Sequence, residues 1–218
     1  MTVWGIVVAG GQGSRFGAPK QFRPLGATGH SLVDHSVATA GAVCDHVVVV
    51  LPEACHWQGP PVAAAVTGGE RRSDSVRAGL AAVDAGADVV VVVHDAARPL
   101  ASPALFRAVI DAVHAGADGA VPALALADTV KRVEDDRVIE TVPREGLAMI
   151  QTPQAFRAGV LRRAHEGVAD ATDDAALVEA AGGVVVVVPG EPTNLKVTTA
   201  GDLEIVEALL ESSRESSS

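Results

Sequence analysis

Tyrosine is absent from this 218-residue chain, aromatic residues make up 3% of it, and lysine occurs three times, as Lys20, Lys131 and Lys196. A core so poor in rings has to draw its volume from Val, Ala and Leu, which 48% hydrophobic content allows. Positive charge is also short. The formal net charge of −10 excludes a general nucleic-acid or anionic-membrane surface, because those partners need a basic field. Cys44 and Cys55 are the only cysteines and lack metal-ligand spacing, which excludes a disulfide framework and leaves two free, partly buried thiols. No apolar run reaches the roughly 18 residues of a membrane span. The N-terminal apolar run is short and has no basic segment before it, so no signal peptide is expected, and the expectation is a soluble cytoplasmic protein.

The length suits one α/β domain, residues 1–211, with a polar tail at 212–218 expected to fray. Its organising stretch is the run from Val7 to Gln21. An apolar segment, Val3 to Val8, reads as a buried strand and empties into a loop where Gly10, Gly11, Gly13 and Gly17 keep Cβ atoms out of the way. Bare backbone N–H groups there can meet an anion, and Arg15 and Lys20 add two cations, so the stretch suits a polyphosphate. No Gly-Lys-Ser/Thr follows the strand, which excludes a P-loop. The third glycine of a dinucleotide fingerprint is replaced by Phe16, which excludes that motif.

Downstream, Ser31 to Val43 has helical spacing with Ser31 as N-cap, and His46 to Leu51 is a valine run with the look of a doubly buried strand. Residues 52–67 give no clear assignment. Val76 to Val83 runs helical behind Gly68-Gly69, with Ser73 or Asp74 as its cap. Asp88 to Val93 is a further strand, ending in His94-Asp95-Ala96-Ala97-Arg98-Pro99. Ligands of an open parallel sheet sit where strands end, so Asp95 and Arg98 are candidate site residues and His94 a structural one. Ser102-Pro103 starts a helix to about His114, and Gly119 to Pro122 is a short strand. Residues 128–145 alternate apolar and polar about Asp135-Asp136, as a hairpin arm does. A two-stranded hairpin is marginal alone, so a dimer contact is expected for it. Helices are predicted from Ala155 to about His165, from Ala175 to Ala181 behind Thr172-Asp173-Asp174, and from Asp202 to Leu210. A last strand is predicted at Val184 to Val188.

Five stretches then agree in order and spacing: A-G-G-x-G-S-R with P-K-Q, G-G-E-R-R-x-D-S-V, H-D-A-A-R-P, D-T-V-K with R-x-x-L-x-x-x-Q-T-P-Q, and N-L-K-V-T-T. Together they resemble the 2-C-methyl-D-erythritol 4-phosphate cytidylyltransferases of the non-mevalonate isoprenoid pathway, over about residues 3 to 210. Relatives acting on ribitol 5-phosphate share most of these motifs. The resemblance implies a Rossmann-like, mostly parallel twisted sheet flanked by helices, of nucleotidyltransferase type, with a protruding β-hairpin arm. It implies transfer of CMP from CTP to a polyol phosphate with release of pyrophosphate, Mg²⁺ on the triphosphate, and a homodimer. Arg15 and Lys20 match cations on the α- and β-phosphates, and Lys196 a third cation near the reacting centre. Ala9, Gly10, Gly11, Gly13 and Ala96 fall in the nucleotide-holding stretches, and Gly69, Glu70 and Ser75 match positions around the cytosine. Asp95 and Arg98 correspond to positions beside the α-phosphate and the acceptor hydroxyls, with Asp95 expected as a substrate and metal-shell ligand. Thr152 matches an acceptor contact, whereas Thr129 and Arg144 match residues that the arm delivers to a neighbouring subunit. A nucleotide-binding regulator without turnover is the different-class alternative; its mark, loss of Arg15, Lys20 or Lys196, is not present.

Overall fold

The computed structural model describes residues 1–10, 20–25, 29–84, 86, 89–167 and 171–215, with the backbone alone for Lys20 and 213–215. Valine runs build the centre. Strands β1 (Val3–Val8), β2 (His46–Leu51) and β4 (Val90–Asp95) are each mostly β-branched and buried on both faces. Around them lie β3 (Ala64–Thr67), β5 (Gly119–Ala125), β8 (Ala148–Ile150), β9 (Gln154–Arg157) and β10 (Val185–Pro189). The sheet runs in the order β10-β5-β9-β4-β1-β2-β3, with β8 pairing β5 to one side. Along that path β9 alone is antiparallel, wedged between β4 and β5. Its reversed direction puts its N-terminal end, Gln151 to Gln154, at the edge where the parallel strands stop.

Period-two alternation sorts the core into two layers. Val7, Val49, Val90 and Val92 pack under α1 (Leu32–Gly41) and α3 (Pro103–His114). Ile6, Val48, Val50, Val91 and Val93 pack under α2 (Arg72–Ala81), α4 (Ala158–Ala164) and α5 (Asp174–Ala180). Each fully buried valine contributes about 1.5 kcal/mol or more relative to exposure. The terminal helix α6 (Ala200–Glu215) closes a third cluster through Leu203 and Val206 against Leu25, Leu32 and Val197.

Cap chemistry sets several boundaries as expected. Ser31 and Asp34 form a capping box on α1, Ser102 caps α3 with Pro103 behind it, and Asp173 caps α5. Elsewhere boundaries differ from the predicted ones. Helix α2 starts at Arg72, so Ser73 and Asp74 lie inside its first turn; Asp74 accepts the Arg71 N–H from the third helical position. The segment predicted as a helix from Ala155 opens as β9, because Ala155 and Phe156 fill the slot between β4 and β5, and α4 begins only at Ala158. Gly119 makes room for that strand: a Cβ there would lie 2.4 Å from the Phe156 ring. The unassigned residues 52–67 end in β3, and α6 continues past Leu210 to Glu215, so 212–215 are helical.

The arm is a separate two-stranded sheet of β6 (Val130–Glu134) and β7 (Arg137–Val142). Asp135 and Asp136 both take positive φ at its turn, the conformation a tight hairpin of right-handed twist requires. Val133, Val138 and Ile139 on the arm are each more than half exposed, at 55%, 61% and 55%.

Candidate active site

Alternation along β4 also decides the chemistry at its end. His94 falls on the side of α1 and α3, with its ring 5.1 Å from that of Phe106, and Asp95 falls on the side of α2, α4 and α5. A closed circuit of hydrogen bonds then ties three separate segments together. His94 Nε2 lies 3.1 Å from the Arg98 carbonyl, which can only accept, so Nε2 carries the proton and Nδ1 accepts from the Thr152 hydroxyl at 3.1 Å. Arg98 Nη1 donates to the Asn194 carbonyl at 2.7 Å, and Asn194 Nδ2 donates to the Thr152 carbonyl at 2.9 Å, closing the circuit. Gln151 fastens the same segments from beside it, donating to the Glu191 carbonyl at 2.9 Å and accepting the Glu191 N–H at 3.0 Å.

Burial lowers the His94 pKa from 6.5 to about 4, although Asp95 next to it works in the opposite direction. The unfolded chain therefore takes up this proton at higher pH than the folded one. Its contribution to stability is full above pH 6.5 and declines as pH falls from 6.5 toward 4. Denaturant titrations at pH 7 and pH 5 are expected to differ by about 2 kcal/mol for the wild type. His94→Gln, which keeps a donor for the Arg98 carbonyl but does not titrate, is expected to lose at least half of that difference.

The circuit delivers Lys196 to Asp95. Lys196 Nζ stands 2.7 Å from Asp95 Oδ2, and Arg72 Nε stands 2.9 Å from Asp95 Oδ1. The Asp95 N–H donates to Thr152 Oγ1 at 3.1 Å, so this carboxylate is held from its backbone as well. Burial alone would raise the Asp95 pKa, but Arg72 and Lys196 outweigh it and hold the carboxyl far below the usual range. Arg72 is the converse: burial disfavours its charge, and Asp95 and Asp174 more than restore it. These groups line an open cleft whose walls include Arg72, Asp95, Arg98, Thr152, Asp173 and Lys196. Arg72, Arg98 and Lys196 face Asp95 and Asp173 in this lining, and Arg72 is paired again by Asp174, so the half-exposed Lys196 is the cation best placed to meet a phosphate.

Next to it, the N-terminal turn of α2 closes against the ends of β1 and β3. A Cβ on Gly10 or on Gly68 would lie 2.8 Å or 2.5 Å from Ser75 Oγ, and one on Gly69 would lie 2.4 Å from Asp74 Cβ. Glycine at these positions lets three chain segments meet around the buried Ser75, whose hydroxyl reaches the Gly69 carbonyl at 3.5 Å. Exposed Glu70 follows.

The expected site residues therefore fall into groups. Asp95, Arg98, Thr152 and Lys196 come together in the cleft; Gly10, Gly69 and Ser75 come together beside α2. Ala9 and Ala96 flank the strand ends with their backbone groups already used: Ala9 donates to the Val50 carbonyl and accepts from buried Gln21, and Ala96 donates to the Val8 carbonyl and accepts from Ser36. Gly11, Gly13 and Arg15 lie outside the described residues. Lys20 opens a short 3₁₀ turn, Lys20–Phe22, and Gln21 within it is bound to the end of β1. Thr129 and Arg144 are exposed at the base of the arm and do not line the cleft of this chain; Arg144 donates to the Ala127 carbonyl. Asp95, expected in the shell of a metal, accepts from Arg72 on one oxygen and from Lys196 on the other. Among the described residues no three acidic, imidazole or thiol groups cluster as a metal site.

Arg72 is the site residue that sequence reasoning missed. It stands in G-G-E-R-R-x-D-S-V, but its partners are 23 and 102 positions away, beyond what local spacing can reveal.

A family model described as IspD, 2-C-methyl-D-erythritol 4-phosphate cytidylyltransferase, matches residues 3–212. The chain belongs to this family. A relative of that enzyme name from Saccharopolyspora erythraea is 44% identical, with 96% of this chain and 100% of the relative covered. A bifunctional enzyme IspD/IspF from Granulibacter bethesdensis is 44% identical across 95% of this chain, and the chain spans 56% of that protein's length. The chain thus spans little more than half of the bifunctional relatives and nearly all of the single-function ones. The crystal structure of the IspD-family enzyme from Thermus thermophilus superposes with a TM-score of 0.82 at 33% identity, covering 94% of this chain and 98% of that one. No helix among the described residues is long and apolar enough to cross a membrane.

Proposed function

We propose that this chain transfers CMP from CTP to 2-C-methyl-D-erythritol 4-phosphate, giving 4-diphosphocytidyl-2-C-methyl-D-erythritol and pyrophosphate. The single observation that carries the acceptor side is the Asp95 hub. It holds Lys196 and Arg72 at the strand ends, with Arg98 beside them, in a cleft open to solvent. A phosphate oxygen of the acceptor forms a bond to the α-phosphorus of CTP while the bond from that phosphorus to the β-phosphate oxygen breaks, and pyrophosphate leaves. The attacking phosphate is already ionised, so no general base is required, and Asp95, engaged through both oxygens, is not one. The chain's contribution is alignment of two anions that repel, and fixed positive charge where charge develops.

The cytosine is assigned to the turn of Gly69, Glu70 and Ser75 beside Gly10, where backbone groups and a small hydroxyl can read the edge of the base. Arg15 and Lys20 hold the triphosphate. Magnesium bound to the nucleotide would neutralise phosphate charge. A second copy of the chain packs against the exposed apolar arm, and its Thr129 and Arg144 complete the acceptor pocket. The reaction runs in the cytoplasm.

Pyrophosphate release with CTP and Mg²⁺, assayed with 2-C-methyl-D-erythritol 4-phosphate, ribitol 5-phosphate and no acceptor, tests this. Turnover at least tenfold higher with the first acceptor is expected. Turnover with ribitol 5-phosphate alone would replace the acceptor, and CTP binding without turnover for any acceptor would leave a regulator in its place.

A further inference from the structure

Arg72 does not hold Asp95 unaided. Behind it stands Asp174, the first residue of α5, 1% exposed, with Oδ2 2.8 Å from Arg72 Nη1 and Oδ1 2.9 Å from Nε2 of His165. His165, 3% exposed, follows directly on the end of α4. The carboxylate can only accept, so the His165 ring donates from Nε2. Five side chains therefore form one line from the interior to the cleft, in the order His165, Asp174, Arg72, Asp95 and Lys196. Arg72 meets its two carboxylates through different nitrogens, Nε toward Asp95 and Nη1 toward Asp174, so the plane of the guanidinium is fixed by both together.

Burying such a group is costly. A carboxylate taken out of water loses several kcal/mol of solvation, and a paired arrangement is often no more stable than packed apolar side chains would be. Asp174 stands in the first turn of α5, beside the apolar layer of Ala175 and Val178, where the helix end tolerates its charge. What the charge does accomplish is orientation. It keeps Arg72 from rotating, and Arg72 keeps Asp95 Oδ1 in place, leaving Oδ2 to fix Lys196.

We propose that Asp174 and His165 are positioning residues for the transfer, acting on the cleft through Arg72. The inference rests on the cytidylyl transfer proposed above. His165→Gln retains an N–H for Asp174, His165→Phe does not, and Asp174→Asn removes the charge from Arg72's inner partner. Steady-state kinetics with CTP and 2-C-methyl-D-erythritol 4-phosphate should show His165→Gln within about threefold of the wild-type kcat. His165→Phe and Asp174→Asn should be lower by about tenfold to a hundredfold, the penalty of a small misplacement of reacting groups, with the KM for CTP changed less than about threefold. Melting temperatures measured alongside separate this from unfolding. Wild-type kcat in His165→Phe would overturn the inference, as would equal loss in the Gln and Phe variants tracking their melting temperatures. A wild-type protein that turns over no acceptor would overturn the transfer and this inference with it; an active wild type with unaffected variants would overturn this inference alone.

Discussion

Lys196→Met is expected to lower kcat by about 10² to 10³-fold while CTP binds with nearly unchanged affinity. Lys196 is the cleft cation with the most access to solvent, its side chain 44% exposed against 23% for Arg72, so a ligand can reach it while Asp95 still steadies it. Charge that grows on the reacting phosphates during transfer meets this ammonium at a fixed position, and a group preorganised for developing charge acts on the transition state more than on the bound substrate. The same exposure keeps the structural effect small. Lys196 is half-exposed and Arg72 still pairs the buried Asp95 when it is gone, so the variant should lose less stability than removal of Asp95 itself and melt closer to the wild type than Asp95→Asn does. Single-turnover kinetics and calorimetric titration with CTP check both halves. A raised KM with unchanged kcat would show that Lys196 serves ground-state binding instead.

Asp95→Asn should damage both folding and chemistry. The carboxylate is 8% exposed and holds two cations, and the amide that replaces it would turn an NH₂ group toward either Arg72 or Lys196. Removing one partner of a buried charge cluster costs about 3 kcal/mol or more, which for a chain of this size lowers the melting temperature by about 6 to 12 °C. Turnover should fall at least as far as in Lys196→Met, because both cations lose their orientation. The pH dependence has a definite sign. The folded pKa values of Asp95 and Asp174 are depressed, so their stabilisation is complete above the ordinary carboxylate value of 3.8 and is lost as pH falls below it. Asp95→Asn should flatten that acid limb. An Asp95→Asn protein as stable and as active as the wild type would show that the hub organises nothing.

The parts of the fold legible from sequence are those governed by local chemistry. Runs such as Val47 to Leu51 admit no polar face and so read as doubly buried strands, and Ser31, Ser102 and Asp173 declare helix starts through their own side chains. Residues 154–157 misled because a four-residue apolar piece has no period of its own; its strand character comes from β4 and β5 on either side. Residues 64–67, likewise, become a strand because β2 offers them an edge. Within the site, Lys196 was expected with Arg15 and Lys20 on the triphosphate, and Asp95, Arg98 and Thr152 toward the acceptor; the structure places Lys196, Asp95, Arg98 and Thr152 in one cleft, and Arg15 lies outside the described residues. Arg72, Asp174 and His165 were not, since each has its meaning only through partners brought from other helices by the sheet. Thr129 and Arg144 do not line the cleft of their own chain.

Direct transfer at the Asp95 cleft is tested most closely by a single-turnover quench with CTP labelled at the α-phosphate. The label should pass in one step from CTP to the phosphate of 2-C-methyl-D-erythritol 4-phosphate, with none retained on the acid-quenched protein and about 10²-fold slower passage in Lys196→Met. Label fixed to the protein before the acceptor is added, or an unchanged rate in Lys196→Met, would contradict it.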